Sequence, residues 1–300
     1  MKPFASDTGI SPKPVRPSPF FPEHGLIRGL AKGSKREKSR FSGGIELLTL
    51  GQITAISKPS TDLATLTEWD LTELFPALTK NLHAYYAGLY FADLLQHLIS
   101  ENDPHERLFQ TLIKVLRALD TPTPPNSTNS NTPNPHHPTT QQNNELTPII
   151  STCVLAFQWA ILCEVGYQPL LNHDAENNTP LQTTNTTTQN HTLAFSPSAG
   201  GIVEDTGESD RWRVRAETIN LLRTIQQTWE HAIENKKDTT QNEPSPHENN
   251  FVENTIAIIQ NENMQSTTLG RANRLLAAYL RTILDRELPT MRFILGEIPR

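Results

Sequence analysis

His24-Gly25-Leu26-Ile27-Arg28-Gly29-Leu30-Ala31-Lys32-Gly33-Ser34-Lys35-Arg36 sets the architecture at the start of this chain. Gly25 supplies a backbone angle that side-chain-bearing residues avoid, so it reads as a turn. Leu26 to Ala31 then fits a short strand. At Lys32 the character changes to a basic loop, with Gly33 and Ser34 inside it. From Arg28 to Arg40 there are six basic residues (Arg28, Lys32, Lys35, Arg36, Lys38 and Arg40) and one acid, Glu37. This segment is +5 in a chain of 300 residues whose net charge is -6, so the remainder is -11. Lys and Arg beside exposed glycine backbone can neutralise a polyanion and release its counterions. A solvated charge run is the competing reading. The flanking β pattern favours the first, because small β-barrels present such loops to single strands.

Working outward, residues 1–19 are rich in Pro and Ser and read as a disordered lead. Phe20-Phe21 lies between Pro19 and Pro22 and can be no more than the stub of a strand. Ile45 to Ser57 is apolar and β-branched, with alternation around Ile53 and Ala55, and Leu63 to Leu66 offers another strand. Residues 20–68 therefore read as a small β-barrel or meander.

From Asp70 the period changes. Leu71, Leu74, Phe75, Leu78, Leu82, Tyr85, Tyr86, Leu89 and Tyr90 recur at helical spacing, with Pro76 dividing a short helix from a longer one. The next helix carries a full start signal, with Asp103 as N-cap, Pro104 at N1 and Glu106 at N3. A third runs from Thr147 to Val165, with Pro148 at its start and Gly166 at its end. Further helices are expected at 211–235, 251–262 and 270–286. Leu193-Ala194-Phe195 and Ser198-Ala199-Gly200-Gly201 read as a small ordered knob. Asn-, Thr- and Pro-rich stretches near 121–145, 172–192 and 236–250 read as disordered insertions. Residues 69–300 are thus a helical domain, and the whole is α+β: a small β-barrel unit followed by an all-α domain.

Catalysis finds no support. There is no phosphate-binding glycine loop, no His-Glu-x-x-His and no Gly-x-Ser-x-Gly. His136-His137 lies in a low-complexity tract. Of four tryptophans, Trp159 and Trp229 fall in apolar register, and Trp212, between Arg211 and Arg213, is the one with a conceivable surface role. Cys153 and Cys163 lie ten apart in one apolar run, a spacing that fits a reducing cytoplasm better than a disulfide. Met1 to Ile10 has no apolar signal region, and no run approaches a membrane span.

The quoted segment, together with Ser39, resembles the DNA repair protein RecO family. Tyr85-Tyr86-Ala87-Gly88-Leu89-Tyr90-Phe91-Ala92-Asp93-Leu94-Leu95, Leu108-Phe109 and its following leucines, Phe157 through Val165-Gly166-Tyr167-Gln168-Pro169, and Tyr279-Leu280 through Leu288 and Arg292 continue the resemblance in order. It implies an N-terminal OB-fold-like barrel, which either lacks its first strand here or belongs to a chain whose start is assigned too late, and a C-terminal helical domain. It implies a bacterial, nucleoid-associated recombination mediator rather than an enzyme. Such proteins bind single- and double-stranded DNA, anneal strands coated with the single-stranded-DNA-binding protein, and help load RecA with RecR. Many members hold zinc through two Cys-x-x-Cys pairs; the corresponding residues here are Asp174 and Asn177, then Glu204 and Gly207, so the zinc site is expected to be lost and no cofactor is expected. Where members often carry Arg before the Phe of the third helix, near the docking site of an acidic tail, this chain has Ala156. The expected DNA-binding residues are Arg28, Lys32, Lys35, Arg36, Lys38 and Arg40. The competing function is a helical interaction scaffold without DNA binding, motivated by the acidic remainder and the apolar helices.

Overall fold

A computed structural model describes residues 20–31, 45–58, 61–121, 146–180, 193–234, 250–262 and 264–296. The expected lead at 1–19, most of the expected insertions and the basic residues from Lys32 to Arg40 lie outside them.

The fold is α+β, as the sequence predicts. At its start β1 (Phe20–Phe21) pairs antiparallel with β2 (Gly25–Leu26). β3 (Gly29–Ala31) runs parallel to β5 (Thr61–Glu73), and β5 pairs antiparallel with β4 (Leu50–Lys58), in the order β3-β5-β4. The expected single strand from Leu26 to Ala31 is thus two pieces that serve two sheets. Ala31, Leu66 and Trp69 are buried together, with Ile45, Ile53 and Leu71 packed around them. Leu66, Trp69 and Leu71 of β5 face this cluster, and the change of phase between Leu66 and Trp69 coincides with the irregularity in pairing between Thr54 and Ala55 of β4. Among the described residues the β unit is an open, barrel-like arrangement and not a closed barrel.

The expected boundary at 68 falls inside a strand. β5 continues to Glu73, with Trp69 opposite Ile53 and Glu73 opposite Leu50. Leu71 and Leu74 fit helical spacing, but pairing with β4 keeps the chain in the strand as far as Glu73. Helix α1 (Pro76–Lys80) starts at the proline, and α2 (Leu82–Leu98) follows, capped by Asn81, whose side-chain oxygen accepts the N–H of His83 and Ala84. Arg117 ties the two parts together through a two-point contact with Glu73, Nε to Oε1 at 3.0 Å and Nη2 to Oε2 at 2.8 Å. That contact holds the Glu73 carboxyl below the usual carboxylate range.

Helix α3 (Glu106–Leu119) does not use the expected cap. It begins at Glu106, with His105 at the N-cap position and no side-chain cap bond. The reason is tertiary. Residues 101–103 are held by β2: Asn102 N–H donates to the Leu26 carbonyl at 3.0 Å, and Gly25 lies against the Asp103 backbone. Asp103 meets His105 instead, Oδ2 to Nε2 at 3.2 Å.

Helix α4 (Pro148–Glu164) is the axis of the helical core. Every residue from Ile150 to Leu162 is buried. Phe91 and Phe157 meet with ring centroids 4.5 Å apart. Burial of such a side chain contributes about 1.5–3 kcal/mol. The polar groups it buries are bonded in part: Gln158 Nε2 donates to Tyr90 Oη at 3.0 Å, and Asn273 Nδ2 donates to the Ser151 carbonyl at 2.9 Å. Cys153 and Cys163 are free thiols, and burial pushes Cys153 up to about 12.

The expected knob is a three-stranded sheet, so the helical domain is not all-α. Its order is β7-β6-β8, with β6 (Leu193–Ser196), β7 (Gly201–Glu204) and β8 (Trp212–Arg213). Residues 170–175 lie along β7: Ile202 N–H donates to the Leu170 carbonyl, and Ala175 N–H to the Ile202 carbonyl, both at 2.8 Å. The described part of the expected 172–192 insertion is therefore seated on a sheet. Helix α5 (Ala216–Glu234) starts after β8 rather than at Arg211. It is followed by α6 (Phe251–Asn261), α7 (Ser266–Leu284) and α8 (Pro289–Leu295). Helix α7 opens a turn earlier than the expected Gly270, because Ser266 and Thr267 need no apolar period to form a first turn. No helix of the described residues is long and apolar enough to cross a membrane.

Candidate nucleic-acid interface

The described residues on either side of the basic segment pack on the same apolar cluster. Ala31, the last described residue before it, is fully buried against Leu66 and Trp69, and Ile45, the first after it, packs on that cluster. Gly29 makes the seat possible, since a Cβ there would stand 2.6 Å from Leu66 Cδ1. One residue earlier, the Arg28 carbonyl accepts the N–H of Ala64 at 2.9 Å, which registers β3 on β5. Upstream, Gly25 has φ +67, and a Cβ there would stand 2.0 Å from the Asp103 carbonyl oxygen. The turn glycine is thus required both by its angle and by close approach of backbone.

Arg28 is the one expected DNA-binding residue that the structure describes. Its side chain is 64% exposed and its Nε lies 2.6 Å from Glu101 Oε1. An exposed pair of this kind contributes about 0–1 kcal/mol. It does orient the guanidinium, and it offsets part of its charge. Lys32, Lys35, Arg36, Lys38 and Arg40 lie outside the described residues.

The tryptophans are not surface platforms. Trp69 is buried in the β cluster, and Trp159 and Trp229 are in the helical core. Trp212, the candidate for a surface role, stacks on Phe195 with centroids 6.0 Å apart and planes at 16°. Its flanking arginines are engaged too, Arg213 with Asp205 at 2.7 Å and Arg211 with Glu176 at 2.9 Å.

Three of the four positions where the resemblance places zinc ligands, Asp174, Asn177 and Glu204, form a hydrogen-bonded cluster, while the Gly207 N–H donates to Asp205 Oδ1 at 3.1 Å. Asp174 is buried, and its Oδ1 accepts the N–H of Glu176 and of Asn177, both at 2.9 Å. Its Oδ2 accepts the N–H of Glu204 at 3.2 Å. Arg211 crosses the same two turns: Nη1 donates to the Glu204 carbonyl at 2.7 Å, Nη2 to Glu176 and Nε to Glu208. Desolvation pushes the Asp174 carboxyl up, but the three backbone donors and the nearby Arg211 outweigh it and leave the carboxyl below its usual range. These donors do not fit tetrahedral zinc: the Asp174 oxygens are directed at N–H groups, a guanidinium fills the gap, and no thiolate is present. No group of three or more His, Cys, Asp or Glu among the described residues could hold a metal ion. The sequence did not signal Arg211 as the partner of these positions, because its contacts come from turns far apart in the chain. Ala156 is fully buried on α4, so a cation at that position would point into this core.

Comparison with known proteins places this architecture. Residues 18–75 match the model for the N terminal of recombination protein O, and residues 79–130 match that for its C terminal. Over these two stretches the chain matches the RecO family. The first match covers the β unit and the basic residues from Lys32 to Arg40, and the second covers α2, α3 and the start of the following segment. The family boundary falls in the α1 region, as the run of β5 to Glu73 requires. The DNA repair protein RecO of Rhodopirellula baltica is 38% identical over 96 residues, which is 32% of this chain and 36% of that protein. The protein of that name from Dehalococcoides mccartyi is 24% identical over 208 residues, 69% of each chain. That from Salinibacter ruber is 31% identical over 101 residues, 34% of this chain and 39% of that protein. The chain thus spans little more than a third of two of these relatives and about two thirds of the other.

Proposed function

We propose that this chain acts in recombinational DNA repair as a non-catalytic DNA-binding mediator. It binds single- and double-stranded DNA through Lys32, Lys35, Arg36, Lys38 and Arg40, with Arg28 in support, and anneals complementary strands. It works in the bacterial cytoplasm with RecR to assist RecA loading, on DNA that carries the single-stranded-DNA-binding protein, and it needs no metal. The mechanism is electrostatic: cations neutralise phosphates, release counterions and lower the repulsion between two strands. Phosphate contacts of this kind carry no sequence information, which suits a protein that must pair any complementary strands. The single observation that carries the reading is the packing of Ala31 and Ile45, the described residues on either side of the basic segment, on one buried cluster, with Arg28 exposed just before it. Similarity to proteins named DNA repair protein RecO supports it further. Because Ala156 is buried, docking of an acidic tail on the helical domain would use other residues.

The test is strand annealing. Two complementary fluorescent oligonucleotides at low concentration should pair many-fold faster with the protein than without it, and Lys35→Glu/Arg36→Glu should abolish the acceleration. A helical scaffold without DNA function predicts no acceleration at any protein concentration, and that result would overturn the proposal.

A further inference from the structure

Two acidic turns lie against each other in the helical domain. The first, 174–177, carries Asp174 and Glu176, and the second, 204–208, carries Glu204, Asp205 and Glu208. Carboxylates gathered on two touching turns repel one another unless a cation stands among them. Arg211 is that cation. Its side chain is 7% exposed, and each of its three guanidinium nitrogens has an acceptor. Nη2 reaches into the first turn, to the two carboxylate oxygens of Glu176 at 2.9 and 3.1 Å. Nη1 and Nε reach the second, to the Glu204 carbonyl at 2.7 Å and to Glu208 at 3.2 Å.

The other ties between these turns set what remains for Arg211 to do. Ala175 N–H donates to the Ile202 carbonyl, which seats the first turn on β7. Asp174 joins the turns by accepting the Glu204 N–H. Asp205 closes the second turn: its side chain, 5% exposed, accepts the Gly207 N–H at 3.1 Å and meets Arg213 at 2.7 Å. None of these bonds holds the Glu176 or the Glu208 carboxylate. Arg211 holds both, and so links the two turns through their side chains. A tetrahedral zinc would link the same turns by drawing anionic ligands from each onto one cation. A guanidinium does so with a fixed fork of five N–H donors and a charge that it never gives up.

We infer that Arg211 takes the place of the metal that the resemblance assigns to these turns: it is the cationic crosslink between 174–177 and 204–208, and it comes with the chain instead of from solution. This rests on the metal-free reading above and goes beyond it, because a chain without zinc need not have replaced it. A metal crosslink depends on supply, on a loading step and on thiolates that oxidants destroy. Arg211 depends on none of these. Its own requirement is shape. The task needs donors directed into both turns at once from a flat group, so Lys, a compact ammonium on a flexible stem, keeps the charge and loses the crosslink. The helical domain thereby keeps the β7-β6-β8 sheet and its turns in place where zinc is scarce or thiols are oxidised.

The test uses the full chain and compares the wild type with Arg211→Met, Arg211→Lys and Glu176→Gln by hydrogen exchange, thermal unfolding and zinc content. Arg211→Met keeps the bulk of the side chain without its charge or donors. It should speed exchange of the Glu176, Asn177 and Glu204 amides, the three that Asp174 accepts, by about 10-fold, and leave the amides of α4 unchanged. Arg211→Lys should speed the same three amides nearly as much. Glu176→Gln should have a smaller effect, and combined with Arg211→Met it should lower Tm by less than the sum of the two single changes, because the two residues share one contact. Should Arg211→Met fail to fold, Arg211→Lys and Glu176→Gln carry the same comparison. The wild type should hold no stoichiometric zinc. Wild-type exchange at the three amides in Arg211→Met or Arg211→Lys would overturn this inference and leave the metal-free reading intact. One zinc per chain, with exchange of the same amides sped by EDTA, would overturn both.

Discussion

Asp174 reaches across two turns of the helical domain to Glu204, its Oδ2 accepting the Glu204 N–H at 3.2 Å. The other carboxylate oxygen closes the first turn through Glu176 and Asn177, both at 2.9 Å. One buried carboxylate thus fixes a local turn and its neighbour together, with Arg211 spanning the outside. Removing it leaves three backbone N–H groups without their acceptor. Asp174→Ala should lower stability by about 1–3 kcal/mol, read as a drop of several degrees in Tm, whereas Asp174→Asn, which keeps one acceptor oxygen, should lose less.

The same carboxylate predicts a pH dependence with a definite sign. Its folded pKa is held below the ordinary aspartate value by the three N–H donors and Arg211. The unfolded chain therefore binds this proton more readily, and the group stabilises the fold fully above its unfolded value. That contribution is lost as pH falls through the lower folded value. Urea unfolding between pH 5 and pH 3 should show wild type losing stability more steeply than Asp174→Asn. Parallel curves would contradict the assignment.

Chelation should have no effect. The donors of this cluster are spent on N–H groups and a guanidinium, so EDTA should leave Tm unchanged, and added zinc should not raise it. A zinc-dependent rise of several degrees would show that Asp174, Glu204 and their neighbours hold a metal after all.

Gly25 and Gly207 separate conformational strain from steric contact. Both have positive φ, +67 and +82, but a Cβ at Gly25 would collide with the Asp103 backbone, while one at Gly207 meets nothing within 4 Å. Gly207→Ala should cost about 1 kcal/mol, the left-handed penalty alone. Gly25→Ala should cost clearly more, about 2–4 kcal/mol, because β2 must separate from residues 101–103. Equal losses in denaturant unfolding would contradict the docking of β2.

Ala156→Arg should fail to fold or lose several kcal/mol, because a guanidinium would be buried unpaired on α4. Wild-type Tm for this variant would mean that the position reaches solvent and could meet a partner.

Much of this structure was legible in the sequence where one local signal dominated. Pro148 and Gly166 bracketed α4, Gly25 marked its turn, and the apolar period of Leu82 to Tyr90 gave α2. The misreadings share one cause, which is competition from contacts distant in sequence. Asp103 and Pro104 look like a helix start, yet residues 101–103 are drawn into contact with β2. Leu71 and Leu74 fit a helical period, yet Ile53 and Leu50 pair with the strand that contains the first of them. The site shows the same division. The cations from Lys32 to Arg40 were visible as charge and Ala31 as the end of a strand. That Ile45 would return to the same cluster required the sheet. Arg211 was visible only as a residue, because what sets it apart is which carboxylates it meets.

The central claim is that the chain binds DNA by neutralising phosphates with the segment from Lys32 to Arg40. Affinity for single-stranded DNA, measured from low to moderate salt, tests it most directly. With about five phosphates neutralised, the wild-type log-log slope attributable to this segment should be near -3.5, and Lys35→Glu/Arg36→Glu should bind more weakly with a shallower slope. An unchanged affinity and slope in that variant would contradict the account.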